Sequence, residues 1–466
     1  MRRIAVLLIT VIMVAERATG APAVARAPDN GTPVTAAETP ATPVGEALGW
    51  VLTVLNDRGA SLTREEITAH IAPSVLAQAP PELVMGLVQQ LSADAPFTFE
   101  GLTRAPTANQ VNALLIGRSG SPLVVPLSVE TAGPHRISGV TFAPVPPPPG
   151  VHLQTVALDE LPLAEGETRT NAMGRADGLF EVNGREIYLS CVGTGSPTVV
   201  LESGANDPAA PWFAVESAVA PFARVCSYDR ANTTGGASDP APTPRTARDA
   251  VDDLHALLTA AQVPGPYVLV GHSIGGINAR LYASIYPDEV VGLVLVDASH
   301  EEQDARLEAM VAPELWQAYQ EVAQQTLNFE GIDIAASFAQ VREARVAAPL
   351  RPMPLVVVTP GAAEDPSLIP TFFPPGWPVE LMPQLHRDLQ SDLVGLVPDS
   401  RQVIAEQSGH YVHQSEPGLV VEAIRDVVDA VRNPETWDAD TPGTPTSASQ
   451  LGAGLDSLLK ERLDHG

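Results

Sequence analysis

The 466-residue chain has only two cysteines, Cys191 and Cys226. That excludes a disulfide-rich scaffold and a zinc site built from thiolates. Lysine occurs once, at Lys460, and Lys plus Arg number 27 against 55 Asp plus Glu, a formal net charge of −28. A nucleic-acid binder needs a basic surface that displaces counterions from phosphates, and this balance runs the other way. An anionic membrane surface is disfavoured for the same reason. Past the first residues no apolar run reaches the roughly 20 residues of a spanning helix. The chain has no His-x-x-x-His pair, no Gly-x-Gly-x-x-Gly and no phosphate loop with its lysine, so no metal or cofactor is expected. What is present in quantity is hydrophobic residue, 45 % of the chain, enough for a globular core.

Arg2 and Arg3 precede an apolar run at residues 4–15, and small residues follow at Ala21-Pro22-Ala23. A positive start, a short apolar stretch and a small-residue exit are the parts of a secretory signal. Residues 1–23 are therefore expected to be a signal peptide and 24–45, rich in Ala, Pro and Thr, a flexible leader. The expected location is secreted or periplasmic, with no stable membrane anchor. Residues 46–145 read as a small α+β unit. Helical patterns come first, one opened by the capping box Thr63-x-x-Glu66. Extended runs follow at 97–103, 110–117, 123–130 and 136–142. His70 and His135 stand alone there and read as structural or surface residues. The proline cluster at 144–149 marks the start of a linker taken as 146–178. Element order and the run ITAHIAPSVLAQAP resemble the cystatin-like and ketosteroid-isomerase-like domains that precede some exported bacterial hydrolases.

From 179 to 432 short apolar runs alternate with helical periods. A hairpin with Asn183-Gly184 as its turn comes first. Runs at 198–201, 224–228, 267–270, 292–296, 355–359 and 402–405 follow, with helical periods at 246–261, 275–286 and 419–431 among them. Near-continuous apolar strands are those buried on both faces of a parallel sheet, so the expected fold class is α/β with an open, mostly parallel sheet. Residues 433–466 read as a mostly disordered acidic tail.

The sharpest local signal is Gly271-His272-Ser273-Ile274-Gly275, between an apolar strand and a helix. Such a turn lifts a serine hydroxyl above the sheet end, and it tolerates only tiny residues two before and two after the serine. A serine needs a base, and a base needs a carboxylate to orient it. His410 follows the last strand and is the candidate base, with His413 as its competitor. His272 reads as a packing residue, and His300 and His386 as surface or cap residues. The acid stays open between Asp297, at the end of the strand 292–296, and Asp365 or Glu364, beyond the strand 355–359.

Here the sequence resembles the α/β-hydrolase fold family over residues 179–432. The resemblance implies an oxyanion hole made by the backbone N–H groups of Ile274 and of Ala205, in the loop after strand 198–201. That loop has Ser203-Gly204 where relatives often carry His-Gly. The resemblance also implies that Asp229 and Arg230 tie loops together, and that the strands carrying Cys191 and Cys226 are neighbours, which makes a disulfide possible. The long stretch at about 300–352 is expected to be a helical cap, in which Trp316, Tyr319, Phe329 and Phe338 either line an acyl pocket or pack the cap, with Phe372, Phe373 and Trp377 near the same entrance. The function implied is an exported serine hydrolase of carboxylic esters, or of amides, acting on small molecules. The alternatives are a lyase or cofactor-free haloperoxidase-like enzyme on the same fold, and a non-catalytic binding protein on a hydrolase scaffold.

Overall fold

Threonine and proline start the first helix. The Thr42 side chain accepts from Gly45 N and Pro43 occupies the first turn of α1 (Pro43–Thr53), which runs on into a π turn. The computed structural model describes residues 42–59, 61–76, 79–148, 150–151, 153, 168–170, 176–326, 330–362, 373–437 and 446–447. The signal segment 1–23 and all but the last residues of the expected leader therefore lie outside the described residues, as do Phe329, Glu364, Asp365 and Phe372. The capping box forms as expected at the start of α2 (Arg64–His70), and α3 (Pro73–Leu76) and α4 (Pro81–Leu91) follow. Next come β1 (Thr98–Leu102), β2 (Gln110–Ile116), β3 (Pro122–Val129), β4 (Ile137–Val140) and β5 (Ala143–Pro144). They form an antiparallel sheet in the order β1-β2-β3-β4, with β5 on β3. Helices and sheet enclose a core around Leu48, Leu55, Ile67, Leu115, Leu127 and Ile137.

The second sheet begins earlier than the pattern suggested. β6 (Thr168–Thr170) and the first residues of β7 (Ala176–Val182) lie inside the expected linker 146–178, yet they pair into the sheet with β8 (Arg185–Val192). β6 is a three-residue edge strand, and the start of β7 lies between β6 and β8 but pairs through Ala176, Asp177 and Gly178, which make no apolar run. Asn183 and Gly184 both take positive φ, 53° and 78°, as the tight β7–β8 hairpin requires. β9 (Thr198–Glu202), β10 (Val225–Tyr228), β11 (Tyr267–His272), β12 (Val290–Val296), β13 (Leu355–Pro360) and β14 (Arg401–Ala405) supply the parallel part, with β15 (Thr446–Ser447) beyond β14. The order is β15-β14-β13-β12-β11-β9-β10-β8-β7-β6.

Alternation along each strand divides the core. Val200, Leu269, Leu293, Leu295 and Val357 face one layer, with α6 (Ala247–Ala260) and α7 (Ile274–Ile285). Val199, Leu201, Val268, Val294 and Val358 face the other, with α5 (Phe213–Val219) and α13 (Pro417–Arg432). The chain leaves β9 for β10 on one side and returns to β11 on the other. This reversal of direction opens a crevice beyond the C-terminal ends of β9 and β11, where open α/β sheets build their sites.

The remaining helices are α8 (Gln303–Met310), α9 (Pro313–Thr326), α10 (Ile334–Ala347), α11 (Met382–Val394) and α12 (Val412–Ser415). Within the expected cap, α10 belongs to the main layer instead: Phe338 and Val341, one turn apart, join the core with α6 and α7. The separate cap cluster is built by Leu307 of α8 and Trp316 and Tyr319 of α9 with Phe373, Trp377, Leu385 and Leu389 from further along the chain. Among the described residues, no helix is long and apolar enough to cross a membrane.

Candidate active site

Ser273 lies between β11 and α7 with φ 54° and ψ −125°, a conformation L-residues avoid. Three glycines make room for it. A Cβ on Gly271 would sit 2.6 Å from Gly275 O, and one on Gly275 would sit 2.6 Å from Ser203 O. A Cβ on Gly276 would run into Ala298. The elbow is therefore held because strand, helix and the end of β9 touch through bare backbone. Ser273 N donates to Val296 O at 3.2 Å and Ser299 N donates to Ser273 O at 2.9 Å, which fastens the turn to the end of β12.

Asp297 is the next residue on that strand. Its φ is 40°, tolerable for Asp, and its N–H donates to Val358 O at 2.8 Å. The side chain is buried, and its Oδ2 accepts from His410 Nδ1 at 2.6 Å. A carboxylate oxygen only accepts, so Nδ1 carries hydrogen and Nε2 of a neutral His410 holds the lone pair. Burial works to raise the Asp297 carboxyl, but His386 and His410 overcome it and hold the group well below the usual range. His410 is in turn fixed from below: its carbonyl accepts from His272 Nε2 at 3.0 Å, which ties the loop of His410 to the residue before Ser273.

The other candidates fall around this pair. His272 is fully buried and held well below its ordinary value by burial and by His413 and His410. His413 is stacked on Trp212, ring centroids 4.2 Å apart, and burial pushes it down to about 3, so it is the packing residue of the two. His300 proves a correction to the surface reading: it is buried, its Nδ1 accepts from Glu302 N at 3.0 Å, and burial lowers it to about 4. His386 is partly exposed on a helix of the cap cluster, in line with the surface or cap reading, but it has a contact that reading did not include. It lies on α11 with Nε2 3.0 Å from Asp297 Oδ1. Asp365 and Glu364, the rival acids, lie outside the described residues.

The loop after β9 is wired into place. Arg230, buried, donates from Nη1 to Ser203 O at 2.6 Å and Glu202 at 3.0 Å, and from Nη2 to Gly204 O and Glu330. Glu330 also accepts from Asn206 N at 2.5 Å. The backbone on both sides of Ala205 is thus engaged. Ile274, as the first residue of α7, has an N–H with no acceptor inside the helix. Asp229 does the loop-tying expected of it, accepting from Ala209 N and Ala237 N at 2.8 Å each. Asp207, in the same loop, is buried with Oδ2 3.7 Å from His272 Nδ1, and burial pushes it up to about 7 against the pull of His410 and Arg230. Cys191 and Cys226 face each other on antiparallel β8 and β10 and are joined as a disulfide.

Sequence reasoning missed Glu330, Asp207 and the contact of His386. Only His386 left a local signal. Leu385, Leu389 and Leu393 form the apolar face of α11, and His386 and Gln390, four residues apart, make the stripe beside it. Gln390 Nε2 donates to Ala298 O at 2.9 Å, so that stripe runs along the chain at residues 297–298.

With a strained serine, an Asp–His pair and a braced glycine loop at one sheet end, the comparison with known proteins agrees. The family model "Alpha/beta hydrolase family" matches residues 199–423. Residues 199–423 form an alpha/beta hydrolase domain. The small first unit matches "ORF 12 gene product N-terminal" over residues 39–134. "Uncharacterized protein YqjL" of Bacillus subtilis is 26 % identical over 235 residues, 50 % of this chain and 85 % of that protein. "Probable transporter efuK" of Hormonema carpetanum is 30 % identical over 145 residues; the match covers 30 % of this chain and only 21 % of that protein. A thermophilic esterase structure from Thermogutta terrifontis is 21 % identical with a TM-score of 0.37, covering 55 % of this chain and 98 % of that one.

Proposed function

We propose that the hydrolase domain cleaves carboxylic esters of small molecules through an acyl-enzyme on Ser273. His410 Nε2 takes the Ser273 proton as Oγ attacks the carbonyl, and returns it to the leaving alcohol. Asp297 keeps the required tautomer and stabilises the imidazolium. The N–H groups of Ile274 and Ala205 receive the oxyanion. Water then attacks the acyl-enzyme, with His410 again as base. The observation that carries this reading is the 2.6 Å His410–Asp297 bond at the same sheet end as a serine with φ 54°. Amides are the second substrate class, since the same acyl chemistry serves both.

The test is labelling by a fluorophosphonate and turnover of activated esters. The wild-type protein is expected to be labelled on Ser273, and Ser273→Ala to lose at least about a thousandfold in kcat/KM. Asp297→Asn is expected to lower kcat by roughly 10³–10⁴. Loss at Asp365→Asn but not at Asp297→Asn would move the acid to the later loop. Full turnover by Ser273→Ala would end the proposal. Export is part of the same proposal, supported by the charge and hydropathy of residues 1–23 and by the disulfide, and N-terminal sequencing of protein recovered outside the cytoplasm tests it.

A further inference from the structure

Asp297 has two oxygens, and only one of them is used by His410. The other, Oδ1, lies within a side chain only 4 % exposed and has Nε2 of His386 at 3.0 Å. A buried carboxylate oxygen without a donor carries a desolvation penalty of about 1–3 kcal/mol, more for a charged group, so a donor there bears directly on where the carboxylate sits. His386 reaches it from α11, whose Leu385 and Leu389 are anchored in the cap cluster and whose Gln390 holds Ala298 O. The helix is therefore fixed on both sides of His386. Because the oxygen only accepts, Nε2 carries hydrogen in either charge state of the ring. The N–H does not point straight down the line to Oδ1. Such contacts at resting active sites tighten when charge develops.

We propose that His386 is a positioning residue for the proposed hydrolytic reaction, pinning the free oxygen of Asp297 so that the other oxygen stays aligned on His410. It touches neither the nucleophile nor the scissile bond and acts through the carboxylate. Without it, Asp297 rotates about its Cβ–Cγ bond and shares its alignment with solvent entering beside α11. The effect falls on the transition state, where His410 becomes a cation, and hardly on substrate binding. Groups that orient a metal ligand from behind cost about 10–100-fold in affinity or activity when removed, and the same scale is expected for a group that orients the carboxylate behind a base.

The inference rests on the hydrolase reading, and the experiment separates the two. Wild type, His386→Leu and His386→Gln are compared as full-length proteins for kcat and KM on an activated ester, for fluorophosphonate labelling rate, for Tm, and for the low-field proton resonance of the His410–Asp297 bond. His386→Leu is expected to lower kcat and labelling rate about 10–100-fold, leave KM within about threefold, and broaden or shift that resonance. His386→Gln places an amide N–H where Nε2 was, and is expected to restore most of the rate and the resonance. An unchanged kcat in His386→Leu, in a protein that is labelled on Ser273, overturns this inference and leaves the hydrolase reading standing. A loss that His386→Gln does not restore, or that tracks a fall in Tm, also overturns it. Failure of the wild type to label or turn over removes the reading beneath it, and the inference with it.

Discussion

His386 and His410 meet the Asp297 carboxylate, while His272 packs behind His410 and His413 behind His272, and burial holds these last two below the ordinary imidazole value. His413 is pushed to about 3 and, further along, His300 to about 4. In the unfolded chain each returns to about 6.5. Between about pH 6.5 and 4 the unfolded state therefore binds more protons at these two positions than the folded state, and stability falls as pH falls through that window. Asp207 works the other way. Its folded value near 7 means the folded state binds more protons between about 4 and 7, so its contribution is lost as pH rises. His272 adds to the side of the histidines, and Glu202, Asp304, Glu422 and Asp426, all raised by burial, add to the side of Asp207. Relative to wild type, His300→Asn should gain on the order of 2–3 kcal/mol in thermal unfolding as pH is lowered from 7 to 4, while Asp207→Asn should lose stability over the same window. A His300→Asn variant whose Tm follows that of wild type at every pH from 7 to 4 would contradict the buried neutral state of His300.

At the level of elements, the loop carrying Ala205 is held by two residues of different origin. Arg230 comes from the end of β10, while Glu330 comes from the segment between α9 and α10. Glu330 grips Arg230 by both oxygens, at 3.0 and 2.7 Å, and holds Asn206 N as well. Glu330→Ala leaves Arg230 buried with Glu202 alone. Removing one partner of a buried pair costs about 3–5 kcal/mol, and part of that shows as a loosened glycine loop. The expected outcome is a lower Tm together with a fall of at least about tenfold in kcat for activated esters, measured on the same preparation. A kcat unchanged at a lowered Tm would mean that the loop keeps its shape without the brace. Elements of this kind mark the boundary of what the sequence can tell. The elbow was readable because strand, glycines and helix are contiguous, and so were the capping box at Thr63 and the turn at Asn183-Gly184. The first strands of the second sheet were not, because β6 is only a three-residue edge strand and the start of β7 pairs through Ala176, Asp177 and Gly178, which carry no apolar run. Glu330 could not be found at all, since its partner is 100 residues away and the loop around it has no period. Asp297 could be placed among three candidate acids, with Asp365 and Glu364, but not fixed, because an Asp at a strand end serves loops as often as catalysis.

Across the whole molecule, the two units are not beads on a string. Arg104, in the connection between β1 and β2, is 1 % exposed and reaches into the hydrolase domain. Its Nη2 donates to Glu216 at 2.8 Å, to Ser227 Oγ at 2.8 Å and to Ala209 O at 2.9 Å. Around it, Ala105 N donates to Asp177 at 2.8 Å and Gln110 Nε2 to Gly235 O at 2.7 Å, and Leu114, Val124 and Val145 pack on Ala210, Phe213 and Ala214. Burial works against this guanidinium, but Glu216, with Tyr188, Asp229 and Asp177 behind it, overcomes that penalty and holds the group above its ordinary value. The shared core and the buried ion pair make the two units one cooperative body. Heat or urea is expected to unfold the full chain in a single transition. Arg104→Met strands the Glu216 carboxylate in the interface and should lower stability by about 3–5 kcal/mol. The double change Arg104→Met with Glu216→Leu removes both charges and should recover most of that loss, since an apolar pair of similar volume replaces a buried ion pair at little net cost. Two separate transitions in the wild-type protein, or an Arg104→Met variant as stable as wild type, would mean that the first unit rides on the hydrolase domain without sharing its fate.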